Sequence, residues 1–530
     1  MKFEQQLATR TKKEIWDTFC GFLDYTMDEY MQVQNRLMEE QIKFWSNSEI
    51  GQSILKGKVP KTIQEFRDNV PLTAYEDYAD ILLLKKASSV PMNPVVWIET
   101  TWEGGRFPLK VAPYSRSMLD TYKKNIICCL LLSTSNKKGE FDVKVDDKLL
   151  YGLAPLPYAT GLFPVLLNEE ISLEFLPDPV EAQKMSFSER NKLGFKMAMK
   201  SDVEFFFGLG SVLYAVSKNM MEASSNSSGA SSIMKYPLKR IIQFIKAKKI
   251  SKAENRQIMP KDLFNLKGFM VAGTDNNYYK DDLEEMWGIR PMEIFAGTEP
   301  ALVGTETWSR DGMYFFPNSC FYEFIKEEDS LRIIDEPDFA PRTYLMNEVV
   351  VGEKYEFVVT VLKGGAFARY RVGDIYECVG LTNKEDSTNI PRFKYVDRVR
   401  NIIDIAGFTR ISEYSISEAI KHSKVNVVNW IVRKEITENN RPFMKLYVEI
   451  DREYLTNNPM SSQILKELLT TYYKYIDQDY KDLKKILGID PLEIEVLKVD
   501  TFVKYRAKYG KQLRRVNASH HDVLNLINLT

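Results

Sequence analysis

The sequence predicts an α/β fold with mixed sheets and helices, and three stretches carry that expectation. Between Phe264 and Glu299, strand-like and helical patterns alternate. Leu266–Ala272 reads as a strand ending at Gly273-Thr274, Asp281–Trp287 as a helix, and Pro291–Phe295 as a second strand ending in Ala-Gly-Thr-Glu (296–299). Between Gly364 and Ser417, two short β-like runs broken by glycine lead into an alternating run through Ile402, Ile403 and Ile405. Gly407 then turns the chain, and Ile411, Ile416 and Ile420 begin a helical spacing. In the last hundred or so residues, Val425–Val432, Phe443–Ile450 and Leu492–Val499 read as strands, and Ser461–Ile476 and Asp479–Leu487 as helices between them.

The rest of the chain follows in order. Residues 1–58 have few breakers and place Phe19, Phe22, Leu23 and Trp45 in a helical pattern, as expected of a surface-covering helical layer. The apolar run Ile126–Leu132 and the segment Leu149–Tyr158 read as buried strands, with a loop at 154–161. Glu181–Leu213 carries helical spacing and an aromatic run, Phe205–Phe207, expected in the core. Asn219–Ser232 is rich in Ser, Asn and Gly and reads as a flexible loop. The basic segment Lys235–Lys252 follows, with Ile241, Ile242 and Ile245 on one apolar face, and reads as a surface helix. Gly312–Glu323 and Glu356–Val361 read as strands of a smaller β unit; Tyr314, Phe315 and Phe316 belong either to its core or to a substrate pocket.

Composition narrows the chemistry. A chain of 530 residues, 44% apolar and 27% charged, has material for two or more domains and a large core. Lys plus Arg (72) nearly cancels Asp plus Glu (73), so no global field points to nucleic acid or to an anionic membrane. The five cysteines, at 20, 128, 129, 320 and 378, lack metal-ligand spacing and read as buried thiols. Charges at the N-terminus stand where a signal peptide needs an apolar region, and no run approaches the ~20 apolar residues of a membrane span. A cytoplasmic setting is therefore expected. The only histidines are His422, His520 and His521, which argues against a Ser-His-Asp or Cys-His hydrolase and against a His-ligated zinc. Carboxylates, lysines, arginines, hydroxyls and backbone amides must carry the reaction.

Four motifs supply such groups. Arg-Tyr-Arg-Val-Gly-Asp (369–374) sets Gly373 just before Asp374, and a carboxylate held at a strand end accepts both hydroxyls of a ribose. Phe295-Ala-Gly297-Thr298-Glu299 closes a strand of the α/β region, where ligands bind; Thr298 offers a hydroxyl to a phosphate oxygen and Glu299 a hard oxygen to Mg²⁺. Residues 99–115 read Glu-Thr-Thr-Trp-Glu-Gly-Gly-Arg-Phe-Pro-Leu-Lys-Val-Ala-Pro-Tyr-Ser. There Gly104 and Gly105 let backbone amides approach an anion, Glu103 would repel phosphate, and Arg106 offsets Glu103. Near the C-terminus, Gly510-Lys511-Gln-Leu-Arg514 lies within a strongly basic stretch.

The order of Arg-Tyr-Arg-x-Gly-Asp, then Asp397-Arg398, then Gly407-Phe-x-Arg-Ile resembles the adenylate-forming superfamily of acyl-CoA ligases, peptide-synthetase adenylation domains and firefly luciferase. Within it, the chain is most similar to the auxin-responsive acyl acid–amido synthetases. The resemblance implies a large N-terminal adenylation domain, residues 1–398, with a β-barrel-like part, and a hinge after Asp397-Arg398 to a small mobile α+β domain, residues 399–530. It implies ATP and Mg²⁺, with Asp374 and Arg398 at the ribose, Gly273 at a strand end facing the adenine, and Phe295 in place of the usual Tyr. Gly104, Gly105, Lys110 and Thr298 would meet phosphates, Glu299 the metal, and Lys511 the reacting carboxylate, although Gln512–Arg514 is an alternative closing motif. The implied reaction joins a carboxylic acid to an amine, such as an amino acid, through an acyl-adenylate. A thiol acceptor such as coenzyme A is the alternative within the superfamily. The loop at 99–106 departs from the family's Ser/Thr/Gly-rich form, which leaves open a ligand- or partner-binding scaffold without catalysis. No nucleic acid or membrane span is implied, and oligomeric state is not legible.

Overall fold

The computed structural model describes residues 1–55, 57–101, 109–226, 236–274, 276–336, 338–398, 402–405, 409–438, 441–457, 461–476, 480, 483, 490–510 and 513–529. The N-terminal layer is helical: Phe3–Thr9, Lys12–Phe19, Met27–Ser46, Glu49–Ile54, Ile63–Asn69 and Glu76–Leu82. Thr11 with Glu14, and Thr26 with Glu29, close capping boxes that satisfy the first free amides of two of these helices. The helix Met27–Ser46 is a strut. Its buried polar side chains donate to carbonyls far along the chain: Tyr30 to Phe315 at 2.9 Å, Gln34 to Cys320 at 2.7 Å, Gln41 to Gly365 at 2.8 Å and Trp45 to Ala366 at 2.8 Å. Each bond satisfies a buried side-chain donor on a carbonyl of another element, which holds the helix in one position.

Strands β1 (Pro94–Thr101) and β2 (Leu109–Ser115) pair antiparallel. The helix Arg116–Ser133 follows, capped by Ser115. It contains Ile126–Leu132, which the sequence reading placed in a strand. From Asn125 to Ser133 every residue of the helix is buried, so the apolar run has no polar face to reveal the helical period. β3 (Lys148–Tyr151), β4 (Glu174–Leu176), β5 (Phe205–Leu209), β6 (Gly268–Ala272), β7 (Met292–Gly297), β8 (Ala301–Thr305) and β9 (Tyr314–Phe315) form one sheet in the order β4-β3-β5-β6-β7-β8-β9. Pairing is parallel from β4 to β7 and antiparallel beyond. Phe205–Phe207 is thus a strand at the centre of the sheet, not a continuation of the preceding helix, Phe187–Lys200. Only the first residues of Leu149–Tyr158 are β, and Asn219–Asn226 extends the helix Gly210–Asn226; 227–232 lie outside the described residues.

β10 (Cys320–Lys326), β11 (Lys354–Val361), β12 (Tyr370–Gly380) and β13 (Arg392–Arg398) form a four-stranded antiparallel sheet. The expected barrel-like part takes this form, an open sheet among the described residues. Tyr314, Phe315 and Phe316 are fully buried core; Phe315 stacks on Phe393 with centroids 4.8 Å apart. Two arginines flank Tyr370 at the start of β12. The Arg369 guanidinium grips Glu323 of β10 through two contacts of 3.1 Å, and Arg371 grips Glu356 of β11 at 2.9 and 2.6 Å.

Further on, β14 (Ile402–Ile405) and β15 (Thr409–Ser412) form a hairpin, and the helix Glu413–Ser423 follows. β16 (Val427–Ile436), β17 (Pro442–Ile450) and β18 (Leu492–Leu497) form a three-stranded sheet, with β16 and β17 antiparallel and β17 and β18 parallel. Together with the helix Ser461–Ile476, they enclose a separate apolar cluster that includes Ile403, Ile416, Trp430, Leu446, Leu469 and Val516. Most of the helix expected at 479–487 lies outside the described residues. All five cysteines are free and buried. No helix among the described residues is long and apolar enough to cross a membrane.

Arg369→Ala leaves Glu323, 1% exposed, with a weakened share of cationic partners. It should lower unfolding stability by about 3 kcal/mol. Arg36→Ala, which removes a solvent-exposed ion pair with Glu40, should change it by less than about 0.5 kcal/mol. Chemical denaturation of the two variants checks the contrast; equal effects would contradict the clamp.

Candidate active site

Strand β2 places two side chains on one face by the two-residue alternation of a strand: Lys110 and Tyr114. Both reach the turn that ends β7. The Tyr114 hydroxyl donates to the Thr298 carbonyl at 2.9 Å. The Lys110 ammonium donates to Glu299 Oε1 at 2.6 Å and to the Tyr370 hydroxyl at 3.1 Å, while Tyr370 donates to the same Glu299 oxygen at 2.5 Å. Lys110 also lies 5.2 Å from the centroid of the Tyr75 ring, whose face stabilises a cation. The Tyr75 hydroxyl hydrogen-bonds both backbone polar groups of Val111, which fixes the residue next to Lys110. An ammonium, a phenol and a carboxylate therefore converge at the carboxyl end of β7.

Electrostatics decide the state of Glu299. Burial alone would raise its carboxyl, but the Lys110 charge, the Lys110 hydrogen bond and the Tyr370 hydroxyl more than offset this and hold it at about 2. Glu299 is thus an anion throughout the physiological range, with its charge already balanced.

The second group of residues lies on β12 and β13. Gly373, at φ +81°, sits in a bulge where Val372, Gly373 and Asp374 stand against a single β11 residue. The positive φ is the conformation glycine takes without strain, and the bulge re-aims Asp374 out of the strand's alternation. Asp374 pairs across the sheet with Arg398, and Arg398 Nε lies 2.7 Å from Asp374 Oδ1. The contact is an ion pair rather than an aligned hydrogen bond: among the described residues, neither Asp374 Oδ1 nor Arg398 Nε has a hydrogen-bond partner. Burial pushes the Asp374 carboxyl up, against the opposing pull of Arg398. Beside this pair, Thr274, which follows β6, donates to Asp404 Oδ1 of β14 at 3.0 Å, and Arg410 of β15 approaches the other Asp404 oxygen at 3.2 Å. Burial would raise the Asp404 carboxyl, but Arg410 and Arg398 hold it below the usual carboxylate range.

The expected residues fall into place unevenly. Lys110 and Glu299 meet directly, as do Asp374 and Arg398, and the Glu299 charge is felt at Arg398. Gly273, φ +117°, ends β6 one residue before Thr274. Phe295 turns onto Tyr376 and Phe357, with centroids 5.3 and 5.8 Å away, so it packs against the antiparallel sheet. A Cβ on Gly297 would press on Pro300 at 3.0 Å, so glycine suits the tight turn that presents Thr298 and Glu299. Gly104, Gly105 and Lys511 lie outside the described residues, as does most of the loop at 99–106. The sequence reading missed Tyr75, Tyr114, Tyr370, Thr274 and Asp404. Tyr114 and Tyr370 were within reach, because both sit inside motifs already singled out, and Asp404 lies between Asp397-Arg398 and Gly407.

The donor set suits a nucleotide. Asp374 Oδ1 is a buried acceptor without an aligned donor, which is what a ribose hydroxyl supplies. For a divalent cation, Glu299 is a permanently charged hard oxygen donor. No group of three or more His, Cys, Asp and Glu side chains among the described residues forms a protein-only metal cage, so a metal here would take the remainder of its oxygens from elsewhere.

A depressed carboxyl stabilises the fold fully above its unfolded value, and the contribution is lost as pH falls from about 4.5 to about 2. Lys110→Met removes the cation, so burial then raises the Glu299 carboxyl instead. The variant should be less stable than the parent by on the order of 3 kcal/mol at pH 7, with the gap narrowing toward pH 3 as Glu299 protonates. Denaturant titrations at both pH values check this; a gap of equal size would contradict the coupling.

Comparison with known proteins fits this geometry. Residues 313–398, from the end of the seven-stranded sheet through Arg398, match the GH3 family central domain. A probable indole-3-acetic acid-amido synthetase, GH3.11 from Oryza sativa subsp. japonica, is 28% identical over 206 residues, covering 35% of this chain and 32% of that protein. A jasmonoyl–L-amino acid synthetase, JAR4 from Nicotiana attenuata, is 26% identical over 196 residues, covering 36% and 30%. The matched part therefore spans about a third of the length of these curated relatives. Among solved structures, the AtGH3.15 acyl acid amido synthetase in complex with 2,4-DB superposes with a TM-score of 0.54 at 16% identity, covering 98% of this chain and 96% of that one. A 2-hydroxyisobutyryl-CoA ligase in complex with 2-HIB-AMP and CoA gives 0.54 at 14% identity, covering 88% and 85%. At such identities the likeness establishes the fold. Residues 313–398 are thus similar to the GH3 family central domain, and the chain as a whole shares the mixed α/β fold of these two solved structures.

Proposed function

We propose that this chain is an ATP-dependent acyl acid–amido synthetase. The observation that carries the proposal is the presence of two unlike carboxylates: Glu299, just past the end of β7 and neutralised by Lys110, and Asp374, in the bulge within β12 rather than at a strand end, buried with an acceptor oxygen lacking an aligned donor. In a fold shared with acyl acid amido synthetases, this pairing divides the labour of holding a nucleotide. Asp374 accepts from the ribose hydroxyls and Arg398 steadies it. Thr298 and Lys110 face the phosphates, and the amides of Gly104 and Gly105, residues outside the described ones, would join them on the strength of the sequence alone. Gly273 and Phe295 border the base. When bound, Mg²⁺ would be held by Glu299 and would screen phosphate charge.

A carboxylate substrate is itself a nucleophile and needs no general base. Its oxygen attacks the α-phosphorus, the bond to the β-phosphate oxygen breaks, and pyrophosphate leaves. An amine nitrogen then attacks the acyl carbon, the bond to the adenylate oxygen breaks, AMP leaves, and the nitrogen loses a proton. Rate enhancement comes from positioning and from cations aimed at the developing charge, which suits a site with no histidine. Lys511 would bridge the carboxylate and the α-phosphate in the first step, delivered by rotation of residues 399–530 against residues 1–398. A cytoplasmic enzyme would draw on ATP and small acids and amines there.

The test is pyrophosphate release from Mg·ATP with pooled carboxylic acids, with and without pooled amino acids or coenzyme A. Acid-dependent release, lost in Lys511→Ala and accelerated by an amino acid, is the expected result. Acceleration by coenzyme A alone would move the acceptor to a thiol. Absence of both release and ATP binding in the folded protein would leave a scaffold.

A further inference from the structure

The helix Leu238–Ala253 is turned against the expectation from its sequence. Its isoleucines would ordinarily face the core. Arg240 faces the core instead, 3% exposed, with its guanidinium donating to four backbone carbonyls: those of Met199 and Ala198, at 3.1 Å each, and of Ser201 and Leu263. Its Cζ also lies 4.8 Å from the Phe264 ring centroid. A guanidinium that satisfies four carbonyls at once sets the rotation of the helix, because turning it would leave both partners buried and unpaired.

That rotation presents an apolar stripe to solvent. Leu238, Ile242 and Ile245 are 73%, 46% and 53% exposed, and their spacing places them along one line of the helix. Lys246, Lys248, Lys249 and Lys252, all exposed, crowd around the end of this line. No acidic residue occurs between Tyr236 and Ala253. The nearly balanced charge of the whole chain hides this local concentration.

We propose that this helix is a peripheral docking element for an anionic lipid surface, lying in the interface with Leu238, Ile242 and Ile245 inserted and the lysines at the headgroups. An apolar line bordered by lysines on a single surface helix has the composition of an interfacial helix. Three apolar positions are too few for a coiled-coil seam, which needs several heptads. An acidic protein groove would satisfy the lysines but does not call for an apolar line standing clear of the surface.

Co-sedimentation of the full chain with vesicles tests this, independently of any catalytic activity. Binding is expected to vesicles of phosphatidylcholine and phosphatidylglycerol in equal parts, and not to phosphatidylcholine alone. Ile242→Glu with Ile245→Glu, and separately Lys246→Glu with Lys249→Glu, should each weaken partition by about tenfold or more. Because these side chains are exposed, circular dichroism and thermal midpoints should stay those of the parent. Several results would overturn the proposal: no binding to anionic vesicles, equal binding to both kinds, binding that survives the isoleucine changes, or a concentration-dependent dimer abolished by them.

Discussion

Strand β12 holds the site together, and two buried guanidinium–carboxylate grips hold β12. Arg369 on Glu323 and Arg371 on Glu356 tie the start of the strand to β10 and β11 on either side of Tyr370. Breaking either grip would leave a carboxylate that is 1% exposed with fewer donors, Arg67 and Thr343 remaining on Glu323 and Ser330 on Glu356, so the grips fix the register of β12. Two consequences follow along the strand. Tyr370 is delivered to Glu299, and four residues on, the bulge at Gly373 delivers Asp374 to Arg398. The motif Arg-Tyr-Arg-Val-Gly-Asp is therefore a structural unit: its arginines are the anchors, its tyrosine and aspartate the payload, and its glycine permits the bend.

The two carboxylates so delivered live in opposite environments. Both are buried, and burial by itself would raise both. Glu299 receives an ammonium and a phenol on one oxygen and falls to about 2. Asp374 faces an unaligned guanidinium and stays raised. A carboxylate whose hydrogen bonds are already made is a fixed anion for a cation site; one with an unmet acceptor is poised for a hydroxyl donor. The difference arises from the hydrogen-bonding groups around each residue, since burial is common to both.

How much of this was legible in the sequence depends on what each stretch had to reveal. The strands around Gly273 and Gly297 were legible because apolar runs ended at turn-forming residues, and the pairing of Asp374 with Arg398 was anticipated only as membership of one site. Ile126–Leu132 was misread because a helix buried all round shows no period, and Phe205–Phe207 because the helix before it blurs the start of a central strand. The anchoring of β12 was invisible, since Glu323 and Glu356 stand far from Arg369 and Arg371 in sequence and carry no motif. The outward turn of Ile242 and Ile245 was likewise hidden: hydrophobic spacing defines a face, but a single arginine decides which way that face points. Gly104, Gly105 and Lys511 rest on sequence alone.

The central claim is that Asp374 holds the ribose of a nucleotide. Titration calorimetry of ATP into the parent protein and Asp374→Ala tests it most directly, with matched unfolding profiles to show that both are folded. The account predicts that affinity falls by about a hundredfold or more, the cost of losing a charged acceptor for two hydroxyls. Unchanged affinity in a folded variant would contradict it and remove the nucleotide from the β12 bulge.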